Sequence, residues 1–251
     1  MRFSVLMSLY CNEHASYFNS AMASIYEQTL IPDEVVIVHD GPLTPELYNE
    51  IAIWKDKLVI VEVVLPVNRG LGEALNVGLN HCKYDLIARV DTDDINVTKR
   101  FELQHSFMAE NPTVALCGGH IDEFDFDSSI IASKRIVPLG DNLDKSIYKR
   151  NPINHMTVMF RKSVVLSSGG YQHLPFMEDY FLWTRMHIDG HKLVNLDSVL
   201  VKARVGNGML ARRKGIDYYR SELIFMSRVL KMSSINKPKF IVTFLLRSHL
   251  R

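Results

Sequence analysis

The sequence predicts an α/β fold in which a mostly parallel sheet is flanked by helices on both faces. Three observations lead there. Short apolar runs recur at residues 3–10, 35–38, 58–65 and 86–90, the pattern of strands buried on both sides. Each is followed by a stretch whose apolar residues fall three or four apart, the stripe of an amphipathic helix. The connections are short, and strand–helix alternation with short connections implies parallel strands joined by helical crossovers.

Residues 3–10, Phe-Ser-Val-Leu-Met-Ser-Leu-Tyr, read as the first strand. Phe18, Ala21, Met22, Ile25 and Tyr26 then mark a helix that stops before Pro32. Val35-Val36-Ile37-Val38 is the second strand and ends in His39-Asp40-Gly41-Pro42. Thr44 followed by Pro45 is an N-cap with proline at the first helical position, and Leu47, Ile51 and Trp54 continue that helix on one face. The third strand, 58–65, leads into the turn Asn68-Arg69-Gly70-Leu71-Gly72 and a helix carrying Ala74, Leu75, Gly78, Leu79 and Cys82. The fourth strand runs to Asp91. A helix over 98–111 should face Phe101, Phe107 and Met108 inward and end at Pro112, before a fifth strand at 114–117 closed by Gly118-Gly119. Residues 121–137 carry two strand-like runs around 125–129, the pattern of a β-hairpin. Further expectations are a short helix at 143–149, a strand at 154–160 with His155 at its start, and a turn at 169–171. A helix then buries Phe181, Leu182, Met186 and Ile188 and ends at Gly190; a strand at 193–201, a basic loop at 204–214 and a helix at 216–230 follow.

Composition bounds the answer. With 251 residues, 47% hydrophobic and 23% charged, the chain can bury a sizeable core as one domain. A net charge of +1 makes no electrostatic case for a nucleic-acid partner. Cys11, Cys82 and Cys117 are widely spaced and read as reduced structural thiols of a cytoplasmic protein. His187 and His191 stand four apart, but Gly190 lies between them and no Glu follows His187 directly, so no zinc site is expected. Met1-Arg2-Phe3 runs straight into a strand rather than a signal peptide, and no stretch reaches the ~18 apolar residues of a membrane span.

The fourth strand ends in Asp91-Thr92-Asp93-Asp94. Carboxylates this close repel one another, and a divalent cation such as Mg2+ or Mn2+ removes the repulsion by taking their oxygens together with those of a substrate phosphate. An acidic turn capping the next helix is the alternative for this motif taken alone. Its position shifts the balance. In parallel α/β sheets, ligands bind beyond the carboxyl ends of the strands. Here those ends carry Tyr10-Cys11-Asn12-Glu13, Asp40-Gly41, Asn68-Arg69-Gly70 and the acidic turn, so the unusual polar residues fall on one rim. Later in the chain, Glu178-Asp179 opens a helix. From the residues alone, a carboxylate there is better read as a complement to the helix dipole than as a general base.

Taken in order, Ser8-Leu-Tyr-Cys-Asn-Glu13, Asp40-Gly41, Asn68-Arg-Gly-Leu-Gly-Glu-Ala-Leu-Asn76, Asp91-Thr-Asp-Asp94 and Gly170-Tyr…Met-Glu178-Asp-Tyr-Phe-Leu-Trp-Thr-Arg185 resemble an inverting family-2 glycosyltransferase of the bacterial surface-polysaccharide type, over roughly residues 3–205. The resemblance implies a GT-A-like single domain, Rossmann-like with a mostly parallel sheet and a mixed acceptor-side half. The nucleotide-binding half would span about 1–118, the acceptor half about 119–230, and a basic amphipathic tail 231–251. It also implies transfer of a hexose from a UDP-sugar to a hydroxyl of a glycan or lipid-linked saccharide, with inversion. Ser8, Tyr10, Glu13, Asp40, Asn68, Arg69, Gly70, Asp91 and Thr92 would then hold the nucleotide, Tyr10 stacking on the base and Asp40 bonding to it. Asp91 and Asp93 would hold Mn2+ or Mg2+, and Asp179, with Glu178 beside it, would be the base. By residue type, Arg69, Arg204, Arg212 and Arg213 could add cationic contacts to the diphosphate, although for each taken singly a solvated surface role is the better reading. Trp183 and Phe181 are expected in the core, and His155 in a structural or acceptor-pocket role. Two features depart from the pattern: His39 precedes Asp40 where a second acid is commoner, and the loop after Arg204 lacks a histidine.

The tail mixes Lys and Arg with Phe, Ile and Leu, and reads either as a segment lying on an anionic membrane at the cytoplasmic face or as a packed helix. A nucleotidyltransferase of similar fold would show a basic, Gly-rich loop after the first strand, and a dehydrogenase G-x-G-x-x-G; Tyr10-Cys11-Asn12-Glu13 is neither. A metal- or nucleotide-sugar-binding module without transfer is the non-enzyme alternative.

Overall fold

A computed structural model of the chain describes residues 1–205 and 216–232. Its strands are β1 (Phe3–Leu9), β2 (Glu34–His39), β3 (Ile60–Val64), β4 (Leu86–Arg89), β5 (Ile95–Asn96), β6 (Val114–Phe124), β7 (Ser133–Arg135), β8 (Met159–Arg161) and β9 (Lys192–Arg204). The helices are α1 (Ala15–Tyr26), α2 (Pro45–Lys55), α3 (Leu71–His81), α4 (Arg100–Glu110), α5 (Asp141–Ser146), α6 (Lys162–Ser167), α7 (Glu178–Ile188) and α8 (Ile216–Leu230). Residues 206–215, which hold most of the anticipated 204–214 loop with Arg212 and Arg213, and tail residues 233–251 lie outside the described residues.

The strands form one sheet in the order β3-β2-β1-β4-β8-β6-β9-β5, with β7 on the far half of β6. β3, β2, β1 and β4 are mutually parallel. β8 runs antiparallel between β4 and β6, and β9 lies parallel to β6, giving a mixed second half. The alternation along β1 explains the two-sided core. Phe3, Val5, Met7 and Leu9 pack against α1, α2 and α4, whereas Leu6 faces α3 and the layer of α7 and α8. α2 starts as its sequence demands, with the Thr44 side chain accepting from Leu47 N and Pro45 at the first turn.

This order places a topological switch at β1. The chain leaves it toward β2 and β3, then returns to its other side as β4, so the loops after β1 and β4 part and leave a crevice at the strands' carboxyl ends.

Several elements differ from expectation. The strand expected to close at Gly118-Gly119 continues to Phe124. A Cβ at Gly118 would meet Asn195 Oδ1 at 2.9 Å, and one at Gly119 would meet Leu200 Cγ at 2.8 Å, so these glycines admit close packing within the ladder rather than stop it. Residues 154–160 are not one strand. Thr157 Oγ1 donates to Asn154 O and accepts from Gly119 N, and this side-chain bonding favours a 3₁₀ turn at His155–Thr157 before the short β8. The 121–137 hairpin forms as expected, Ile121 pairing with Arg135 and Glu123 with Ser133.

Candidate active site

The crevice is an open cleft of about 830 Å3. Ser8, Tyr10, Glu13, Asp40, Asn68, Gly70, Asp91, Thr92, Asp93, Glu178 and Asp179 all line it, so residues spread over some 170 positions of sequence meet at one place.

One wall is built around Asp40. Its carboxylate accepts from Arg69 N at 2.6 Å and Gly70 N at 3.0 Å, and its carbonyl accepts from Asn68 Nδ2 at 3.2 Å. The turn is thus folded onto the end of β2. Gly41 makes this possible, because it sits at φ +86° and a Cβ there would lie 2.8 Å from Asn68 N. The Arg69 side chain turns away to Glu73, 2.8 Å distant, so its backbone N–H rather than its guanidinium serves this wall. His39 also points elsewhere: it is buried, its Nε2 3.1 Å from Glu62, and burial lowers its pKa. Tyr10 presents an exposed ring at the mouth.

Glu13 ties the two parted loops together. One oxygen accepts the Thr92 hydroxyl at 2.6 Å, and the other accepts His14 N at 2.8 Å. Behind Thr92 the carboxylates crowd. Burial, the Asp91 charge and Glu13 raise Asp93 to about 7, and burial with Asp91 and Asp93 holds Asp94 well above the usual carboxylate range. Asp94 is further held by accepting Arg204 N at 2.8 Å. The Arg204 guanidinium stacks over Tyr17 and Phe124 at 3.8 and 4.6 Å, closing that end of the cleft. A buried cation pairs with the acids: Arg89, 2% exposed, contacts Asp91 Oδ1 through Nη2. Its Nε and Nη1 have no hydrogen-bond partner among the described residues.

The donor set suits a hard cation, since Asp91 and Asp93 offer carboxylate oxygens, and burial together with the Asp91 and Glu13 charges raises Asp93 to about 7. Among the described residues no cluster of three or more His, Cys, Asp or Glu forms a cage. A cation here would therefore complete its shell with water and the oxygens of a bound diphosphate.

The start of α7 brings two more carboxylates, Glu178 and Asp179, to the cleft. Asp179 Oδ2 accepts from Asn151 Nδ2 at 2.7 Å, which orients its carboxylate in the cleft. Glu178 beside it is raised by burial, and its side chain packs over Gly72, where a Cβ would lie 3.3 Å from its Cγ. His155 Nε2 bonds to Tyr171 OH at 2.9 Å and is held neutral by burial and by Arg89. Asn76 clasps the same segment, accepting Tyr171 N at 2.8 Å and donating to Tyr171 O at 2.6 Å. Trp183 and Phe181 lie in the core as expected.

The profile of Glycosyl transferase family 2 matches residues 4–168. The chain belongs to that family. It is 40% identical over 249 residues to the amylovoran biosynthesis glycosyltransferase AmsE of Erwinia amylovora, covering 99% of this chain and 93% of that one. It is 37% identical over 250 residues to a UDP-Gal:alpha-D-GlcNAc-diphosphoundecaprenol beta-1,3-galactosyltransferase of Escherichia coli, covering 100% and 91%. Among solved structures, S. aureus TarS 1–349 in complex with UDP-GlcNAc superposes with a TM-score of 0.76 at 19% identity, covering 99% of this chain and 72% of that one. The mannosyltransferase PcManGT of Pyrobaculum calidifontis, in complex with GDP-Man and Mn2+, superposes at 0.69 and 16% identity, covering 99% and 74%. These two likenesses concern the fold, which is that of the GT-A glycosyltransferases.

Two residues of this glycosyltransferase site escape sequence reasoning. Asn151 has no motif, and its use appears only when α7 brings Asp179 against it. Arg89 did carry a signal. It is a cation in an otherwise apolar strand, two residues before an aspartate, and alternation points it to the side opposite Ala88 and Val90.

Proposed function

We propose that this glycosyltransferase moves a hexose from a UDP-sugar to a hydroxyl of a lipid-linked saccharide, inverting the anomeric carbon, with Asp179 as general base. The observation that carries the reading is that Asp179 and the Asp91/Asp93 pair, distant in sequence, line one cleft with Asp40 and Tyr10. Tyr10 would stack on the uracil ring, Asp40 and its turn would receive the base, and Thr92 and Asp91 would face the ribose and diphosphate. Asp91 and Asp93 would hold a divalent cation, which when bound neutralises charge on the departing diphosphate. Asp179 takes the proton of the acceptor hydroxyl as that oxygen forms its bond to the anomeric carbon. The bond from that carbon to the phosphate oxygen breaks with its electron pair, and UDP leaves. Asn151 keeps the Asp179 carboxylate aimed during this transfer.

The acceptor assignment is supported by the chemistry in the name of the E. coli relative. No helix among the described residues is long and apolar enough to cross a membrane. Contact with a lipid-borne acceptor is therefore proposed as peripheral, at the cytoplasmic face, through the basic tail 231–251.

Incubation with single UDP-hexoses, Mn2+ and a lipid-linked saccharide tests the reading. UDP release that depends on the acceptor is expected. UDP binding without release under any donor would instead favour a nucleotide-sugar-binding module.

A further inference from the structure

A second cavity, of about 430 Å3, opens beside the first and shares His155, Met156, Phe176 and Asp179 with it. The base therefore stands between the two. If the first holds the donor, as proposed above, the hydroxyl that Asp179 deprotonates must arrive from the second. Two features of that second cavity say what arrives. Arg135 of β7 and Arg150 both line it. Among the described residues the carboxylates that line it are Glu123 and Asp179, and Glu123 also accepts the Ser133 hydroxyl. Guanidinium groups suit phosphoryl oxygens because their paired N–H donors match two oxygens at once.

The second feature is Phe176. It is the one non-glycine residue at positive φ among the described residues, φ 68°, and it is 46% exposed. Neither the backbone strain nor the exposure is recovered by burial, a combination that marks functional positions. Its ring lies 5.9 Å from that of Tyr218, at the junction of the cavities, so the pair forms an apolar surface on which the face of a sugar ring can rest.

We infer that this second cavity is a subsite for a sugar diphosphate, the sugar ring resting on Phe176 and Tyr218 with its hydroxyl toward Asp179, and the diphosphate held by Arg135 and Arg150. The proposal rests on the glycosyl-transfer reading and adds that the acceptor is recognised through its anionic link. A free diphosphate and a lipid-borne one share this chemistry, and the donor's own diphosphate must be kept apart from both.

The test is calorimetric titration of the full chain, saturated with UDP and Mn2+, with octyl diphosphate-linked N-acetylglucosamine, its neutral counterpart octyl N-acetylglucosaminide, and octyl diphosphate. The diphosphate glycoside should bind about tenfold or more tighter than the neutral one, the scale of one lost charge-assisted contact. Arg135→Ala with Arg150→Ala should erase that difference while leaving the UDP-induced melting shift unchanged. Arg150→Glu alone, at an exposed position, should shrink it if the double variant folds poorly. Phe176→Ala should weaken both glycosides alike and leave octyl diphosphate unaffected. Equal affinities in the native protein, or a difference that survives in the arginine variants, would overturn the subsite. Failure of UDP to bind would count against the donor assignment instead, and the comparison of glycosides, which needs no turnover, stands without it.

Discussion

Asp179 accepts a hydrogen bond from the Asn151 amide at 2.7 Å, from a loop 28 residues earlier. Removing the proposed base and removing its support should differ in degree. Asp179→Asn is expected to lower kcat by about 10²–10⁴-fold, the usual worth of a general base. UDP should still raise the melting temperature of this variant as in the native protein. Asn151→Ala loses one hydrogen bond to a charged group, worth about 1.5–3 kcal/mol. It should lower kcat by a factor of ten or so while donor KM stays put, and parallel changes in both constants would show a different role. Arg89 presents the opposite balance of stability and exposure. Its guanidinium is buried against Asp91, which keeps a quarter of its side-chain surface. Arg89→Met leaves that carboxylate near Asp93 and Asp94 without its cation. A loss toward the low end of the ~3–5 kcal/mol seen for broken buried pairs is expected in urea unfolding. An unchanged midpoint would mean the arginine stabilises nothing.

At the scale of elements, the site depends on how closely the turn at 68–70 sits on the end of β2. Gly41→Ala places a Cβ against Asn68 N and a non-glycine residue at φ +86°. It should cost about 1–3 kcal/mol and weaken UDP binding together, because the turn must move off Asp40; a variant that loses stability but binds UDP normally would detach the turn from the nucleotide wall. The same elements show what was legible beforehand. β1 to β4 could be read from apolar runs of strand length, and their carboxyl ends predicted a shared rim without any knowledge of side-chain conformation. β5, two residues long, and α6, six, are too short to carry a period. Gly118-Gly119 read as a stop because a pair of glycines usually breaks a strand, whereas here they make room for Asn195 and Leu200. The turn at His155–Thr157 rests on side-chain bonds to Gly119, 35 to 38 residues away, which no local pattern contains. Arg69 shows the same limit inside the site. Its motif was visible, but which of its groups faces the cleft depends on Glu73, one turn further along α3.

Across the whole molecule, two apolar layers clamp the sheet, and some polar groups are sealed into them at the cost of their charge. His39, 1% exposed, is one. Burial lowers its pKa, with Glu62 opposing. The unfolded chain therefore takes up a proton at this position that the native protein resists, and stability falls as pH drops below the unfolded value of about 6.5. Between about pH 7.5 and about pH 5 the native protein should lose more urea resistance than His39→Gln; equal losses would remove His39 from the acid response. Taken as a unit, the molecule uses its parallel half to present carboxylates at one crevice and its mixed half to bring Asp179 to the same place. Anomalous scattering from manganese in crystals grown with UDP tests that convergence most directly. The expected result is a peak joining the Asp91 and Asp93 carboxylates to the UDP diphosphate, inside the cleft that Asp179 lines. Manganese bound elsewhere with both carboxylates unliganded, or UDP seated outside that cleft, would contradict it.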